Sequence, residues 1–384
     1  MYILFNLLKN RQAIINKTEQ PKYEKHVEGF SKEDSDYDSV TNEVKQLAID
    51  ERQFPSGVLS VGDKLLNMSI NQFCIKGSSN SAYSGNYISD IMVRYVLSRG
   101  CRFLDFEIYY LPDTTGGFHA CVGYSSDPAA VSPTISNKNA VLFLDLMKSA
   151  ISGAFINHTG ESYYTTNRDD PLFINLRLKT GVADRQKLYD SIQSALSSLY
   201  TDSTYKDYFF TRPWGDNYVT GYTRLSELRK KMIIIFENNS MMPSNLSLSN
   251  RKSPTSGNFY NAVSNSATIQ KSFYSELNPE KFIASPPKVA TAMTVTFKQN
   301  SKMSMVVPEN NKQTQTNPNL FSSVQNYGNQ ITLFQYHVND TELIENEQLF
   351  KTYGTSIVPM SYCLSYIHNY ASPEDIQPVA PSLL

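Results

Sequence analysis

Residues 100–108 read Gly-Cys-Arg-Phe-Leu-Asp-Phe-Glu-Ile, an apolar run interrupted by two acids. In a strand, side chains alternate between faces, so Asp105 and Glu107, two residues apart, stand on the same face. Two like charges on one inward face need a cation between them. A metal ion meets that need, and so does a basic side chain.

Around this stretch lies a chain of 384 residues, long for one ordinary domain but suited to a single α/β barrel with insertions and tails. Hydrophobic residues make up 40% and charged ones 18%, with 25 Tyr and 20 Phe, which allows a large core under a surface polar more by amide and hydroxyl than by charge. The formal net charge is −1 and no polybasic run occurs. That balance gives no long-range pull toward nucleic acid or anionic lipid, and no nucleic-acid partner is expected. Cys74, Cys101, Cys121 and Cys363 stand singly in apolar segments with no CxxC pair. Buried free thiols in a reducing compartment fit this usage, so an intracellular protein is expected. Residues 1–8, Met-Tyr-Ile-Leu-Phe-Asn-Leu-Leu, are too short a run to span a bilayer and lack the basic flank and cleavage site of a leader. They read as a docking hook, and no transmembrane segment is expected.

Residues 1–57 thus comprise the hook and a charged arm, whose stretch 17–53 is poor in aliphatics and is expected to be extended or disordered. From 58 onward short apolar runs alternate with amphipathic helical patterns. Strands are expected at 71–75, 100–108, 117–122, 172–178 and 232–236. Helices are marked by Ile88, Ile91, Met92, Tyr95 and Val96, by Ala140, Phe143, Leu144, Met147, Ile151 and Ala154, and by Leu188, Ile192, Ala195, Leu196 and Leu199. The Ser-, Asn- and Pro-rich residues 238–280 read as a linker or insertion between two halves, 58–237 and 281–372. In the second half, strands are expected at 291–297 and 331–336 and a helix over 340–351 with Asp340 as its N-cap. Residues 373–384 form a proline-rich tail. Alternating strands and helices argue for parallel βα units, an α/β fold.

Several strings, in order, resemble the catalytic barrel of phosphoinositide-specific phospholipase C. Ile75-Lys-Gly-Ser-Ser-Asn-Ser81 is similar to that family's Ile-Lys-Ser-Ser-His-Asn-Thr, and Gly100-Cys-Arg-Phe-Leu-Asp-Phe-Glu107 to its Gly-Cys-Arg-x-x-Glu-x-Asp. Gly117-Phe-His-Ala120 resembles the segment with the second histidine, and Lys230-Lys-Met-Ile-Ile-Ile235 a later basic strand. Gly328-Asn-Gln330, Asp340, Phe350, Gly354 and Pro359 follow the pattern of the family's second half. The resemblance runs from about 59 to 360 and implies a TIM-type (β/α)8 barrel, regular or distorted, with an extended N-terminal arm.

It further implies a calcium ion held by carboxylates and an Asn, which lowers the pKa of an inositol hydroxyl while two histidines manage protons and phosphate charge. Asn80 matches the Asn ligand, and Asp105 and Glu107 match the two acids with identities exchanged. His119 matches the second histidine and is the candidate catalytic residue, and Lys231 matches a phosphate-binding base. Two positions depart. Ser79 stands where the first histidine is expected, and a hydroxyl cannot shuttle a proton at neutral pH. Losing one such transition-state-stabilising group costs roughly 2.7–4 kcal/mol. Arg177 stands where the fourth acidic ligand is expected, which removes one negative ligand and adds a positive group. Arg177 is therefore expected between Asp105 and Glu107, its fork of donors replacing the metal. Beside these readings, Asn80 also suits a turn and His119 a hydrogen-bonded barrel position.

Two functions follow. The first is a catalytically inactive phospholipase-C-like barrel with no cofactor, a structural or interaction subunit that meets other protein subunits of a large assembly through its hook and arm. A minor capsid or other virion protein of a large DNA virus would fit. The alternative is an active phosphoinositide phosphodiesterase with calcium on Asp105, Glu107 and Asn80 and His119 as acid and base.

Overall fold

The computed structural model describes residues 34–47, 58–113, 116–127, 131–132, 139–156, 163–212, 217–239, 259–266, 268–277, 302–309, 315–320 and 322–371. Its strands in chain order are β1 (Phe73–Ser78), β2 (Phe103–Pro112), β3 (Phe118–Gly123), β4 (Val141–Leu142), β5 (Leu172–Lys179) and β6 (Met232–Glu237). They continue with β7 (Ala262–Ser264), β8 (Ile269–Phe273), β9 (Met303–Val307), β10 (Ile331–Phe334) and β11 (Ile357–Pro359). The α-helices are α1 (Asp34–Leu47), α2 (Asp90–Ser98), α3 (Phe143–Phe155), α4 (Arg185–Thr201), the single turn α5 (Leu225–Leu228), α6 (Thr341–Tyr353) and α7 (Met360–Ala371).

Eight of these strands, β1, β2 and β5 to β10, pair in parallel, and β10 returns to β1 to close a (β/α)8 barrel. β3 extends β2 as an antiparallel hairpin and carries β4 on its far side. The seam between β1 and β2 is short: Gly77 and Ser78 pair with Phe103 and Leu104, while Phe73 to Ile75 pair instead with antiparallel β11. Gly77 permits this close approach, because a Cβ there would meet Leu333 Cδ2 at 2.5 Å and Phe103 Cβ at 3.3 Å.

Side-chain alternation sorts two cores. Phe73, Ile75, Phe103, Phe173, Ile233, Ile235, Met303, Met305, Ile331 and Leu333 pack inside the barrel. Leu104, Phe106, Ile174, Leu176, Ile234 and Phe236 face outward onto the helical layer, where Val93, Val96, Met147 and Ile151 meet them. Local chemistry sets the helix ends. The Ser89 hydroxyl accepts from Met92 N at the start of α2, and the Asp340 carboxylate accepts from Leu343 N at the start of α6. Gly354, at φ +63, ends α6 in the left-handed region that favours glycine.

Two expectations need correction. The arm is not extended throughout: residues 34–47 form α1, whose Val40 and Val44, one turn apart, are buried. Its charged neighbours mask this narrow apolar stripe in the sequence. Residues 238–280 are not only a linker, since they hold two barrel strands, β7 and β8, and a 3₁₀ turn over Tyr274–Leu277. β7, Ala-Val-Ser, has only three residues, and the five-residue β8 carries Gln270, Lys271 and Ser272, so neither shows a continuous apolar run. The expected strand at 291–297, the hook at 1–8 and the tail at 373–384 lie outside the described residues. Among the described residues all four cysteines are free and buried, and no helix is long and apolar enough to cross a membrane.

Candidate functional site

Inward positions near the strand starts are apolar; farther along the same strands they turn polar. On β2 the inward sequence continues from Phe103 to Asp105, Glu107 and Tyr109, and on β5 from Phe173 to Asn175, Arg177 and Lys179. The parallel register sets Asp105 beside Asn175 and Glu107 beside Arg177. Ser79 and Asn80 follow directly after β1, so the group lies toward the C-terminal mouth of the barrel, where this architecture places its sites.

Arg177 fills the space between the acids. Its Nε donates to Asp105 Oδ1 at 2.9 Å, its Nη2 to Asp105 Oδ2 at 2.7 Å, and its Nη1 to Glu107 Oε1 at 2.9 Å. Nη2 also donates to Asn80 Oδ1 at 2.6 Å. Arg177 is 5% exposed, Asp105 0% and Glu107 1%. Burial pushes the Arg177 pKa down, but the charges of Asp105, Glu107 and Glu237 outweigh it and raise the pKa above its ordinary value. The guanidinium is therefore a permanent cation here.

The remaining lone pairs of the acids are also occupied. Asn175 Nδ2 donates to Asp105 Oδ1 at 2.8 Å, and Asn80 N to Asp105 Oδ2 at 3.2 Å. The Ser79 hydroxyl lies 3.5 Å from Asp105 Oδ2. Tyr109 OH donates to Glu107 Oε2 at 2.7 Å and Ser125 N to the same oxygen at 3.1 Å. Burial and the Glu107 charge raise the Tyr109 pKa, so the phenol stays a proton donor. Lys179 Nζ stands 3.6 Å from Glu107 Oε1, and Lys271 pairs with Glu237 on β6. Asp105, Glu107 and Glu237 thus face Arg177, Lys179 and Lys271, and the formal charges cancel.

Calcium takes six to eight oxygen ligands in a space lined by oxygen. Here the oxygens of Asp105, Glu107 and Asn80 converge on N–H donors of a buried cation. The residues present do not fit a calcium ion. Among the described residues, no group of three or more His, Cys, Asp or Glu side chains gathers as a metal site.

The structure brings Ser79, Asn80, Asp105, Glu107 and Arg177 together, but not His119 or Lys231. His119 pairs with Leu111 on the hairpin, while Gly123 pairs with Glu107. Four strand residues, about 13 Å, separate the two positions. From this side of the hairpin it is Ser125 N that reaches Glu107. The His119 side chain is 50% exposed and its Nε2 pairs with Asp113 Oδ2 at 2.9 Å. Lys231 precedes β6 and lies at the opposite, N-terminal end of the barrel, where its Nζ donates to Asp207 O at 2.5 Å. Sequence reasoning missed Tyr109, Asn175, Lys179, Glu237 and Lys271. The signal for Asn175 and Lys179 was available, as alternate residues on the strand that carries Arg177.

No family model matches the sequence, and no curated protein matches it. Among solved structures, PLC21 of S. officinalis is similar at 16% identity and TM-score 0.47, with 84% of this chain and 39% of that chain covered. PLC21 of L. pealei gives 15% identity and TM-score 0.47 over 83% and 40%. A calcium-dependent phosphoinositol-specific phospholipase C from a Gram-negative bacterium, Pseudomonas sp., gives 11% identity and TM-score 0.41 over 79% and 99%. The chain spans about two fifths of the length of the two PLC21 proteins.

Proposed function

We propose that this chain is a phospholipase-C-like barrel without phosphodiesterase activity, which serves as a structural or interaction subunit. One observation carries the reading: Arg177 donates to Asp105, Glu107 and Asn80 together, the three residues that the motif resemblance assigns to calcium. Ser79 in place of a histidine, and His119 remote from the acids, support it further. Without a metal and without a paired acid and base, the barrel lacks the means to activate an inositol hydroxyl. In this reading the partners are other protein subunits of an intracellular assembly, with a virus particle as one such setting. The apolar residues 1–8 and the Tyr-rich composition support that part.

Calcium titration calorimetry run beside an assay of inositol phosphate release from phosphatidylinositol vesicles tests the proposal. Neither saturable calcium binding nor release above a protein-free blank is expected. Calcium-dependent release that disappears in Asp105→Asn would overturn it and establish a working phosphodiesterase.

A further inference from the structure

The loop between β1 and α2, residues 79–89, is fastened at both ends. At its start, Asn80 takes a left-handed φ of 43° and joins the ion cluster through its N–H to Asp105 and its side-chain carbonyl oxygen to Arg177. Ser81 N donates to Asp105 O at 2.9 Å, and Asp105 N returns a bond to Ser81 Oγ at 3.0 Å. The far end is a tight turn in which Ser84 N donates to Tyr87 O at 3.0 Å and Gly85 takes a φ of +126°.

The tip of that turn is held from outside the barrel. Glu43 on α1 accepts from Ser84 Oγ at 2.5 Å and from Asn86 N at 2.9 Å through Oε1, and from Asn86 Nδ2 at 2.9 Å through Oε2. The neighbouring Val44 is fully buried, Val40 lies one turn before it, and Tyr95 OH on α2 donates to Leu47 O at 3.1 Å. One carboxylate thus gathers three donors of a single turn, on a helix seated by its apolar stripe.

We propose that α1 is an intramolecular strap: Glu43 holds the tip of the 79–89 loop, and so holds Ser79 and Asn80 in place against Asp105 and Arg177. This goes beyond the function proposed above and holds whether or not the barrel turns over a substrate. The arm then acts on the mouth of the barrel, and anything that draws α1 away loosens the loop bearing Asn80.

Hydrogen exchange on the full chain tests the strap. Hydrogen bonds to a charged acceptor are strong enough that losing them raises local opening about tenfold or more. Glu43→Ala and Val44→Asp are each expected to speed exchange across 79–89 by that factor, with amides of β5 unchanged. Glu43→Gln keeps an acceptor for Asn86 N and is expected to retain most of the protection. Wild-type protection of the loop in both Glu43→Ala and Val44→Asp would overturn the proposal. So would an equal loss in β5 on Glu43→Ala, which would make Glu43 a support of the whole barrel.

Discussion

Arg177 meets two acids and an amide at once because a guanidinium is a planar fork, whereas an ammonium is a point. The two acids could be placed on one face from their spacing in the sequence, and motif position brought Arg177 toward them. Glu237 and Lys271 could not be read in this way, because nothing local marks where a barrel interior turns from apolar to charged. His119 misled for a related reason: the motif resemblance carries no strand register, and the β2–β3 pairing sets His119 opposite Leu111 rather than Glu107. Truncating Arg177 would leave two carboxylates buried without their central cation, which costs about 3–5 kcal/mol in comparable buried pairs. Arg177→Met is therefore expected to lower the unfolding free energy by that amount in urea at neutral pH. Arg177→Lys, which keeps charge but loses the fork, is expected to lose about 1–3 kcal/mol. A Met variant as stable as the wild type would mean that the acids do not depend on Arg177.

Elements with a clear period were legible. Helices α2, α3 and α4 follow 3.6-residue apolar patterns, and α6, whose buried face includes the polar Asn346 and Glu347, starts on the Asp340 cap expected of it. β7, β8 and α1 were hidden by composition: the strands lie in a Ser/Asn-rich stretch, and the helix buries only a thin stripe. The segment that leads into β1 is tied to the start of β5 by Asp170, whose Oδ1 accepts from Val61 N at 2.8 Å. Burial pushes the Asp170 carboxyl up to about 6, against the opposing pull of Arg102. Because the folded value exceeds the unfolded one, the contribution of Asp170 is fully present below about pH 4 and is lost as pH rises toward 6. The loss amounts to about 3 kcal/mol, since each tenfold gain in proton affinity on folding is worth about 1.4 kcal/mol. Asp170→Asn removes the titration. The stability difference, wild type minus variant, is expected to fall between pH 4 and 6 and to be level above 7. A flat difference across that range would show that Asp170 titrates normally.

At the scale of the whole molecule, a net charge of −1 conceals charges set deep inside the fold. Besides the mouth cluster, a second group lies outside the barrel, where Glu347 of α6 pairs with Lys76 of β1 at 2.6 Å and with Arg99 after α2. The elements it joins come from opposite ends of the chain, so it fastens the closure of the barrel; the mouth cluster fastens β1, β2 and β5 across the seam. If Arg177 is the internal substitute for a divalent ion, the choice between them lies in one side chain, and stability reports it without any catalytic assay. A ligand that binds only the folded state raises stability by about 2.7 kcal/mol at a hundred times its dissociation constant. Arg177→Glu would add a third carboxylate to Asp105, Glu107 and the Asn80 oxygen, a donor set suited to calcium. That variant is expected to melt below the wild type in chelator and to regain much of the loss in millimolar calcium. The wild-type melting temperature is expected to stay constant across the same titration. A calcium-dependent rise in the wild type would place a metal site within the native barrel, and no response in Arg177→Glu would show that these oxygens cannot converge on an ion.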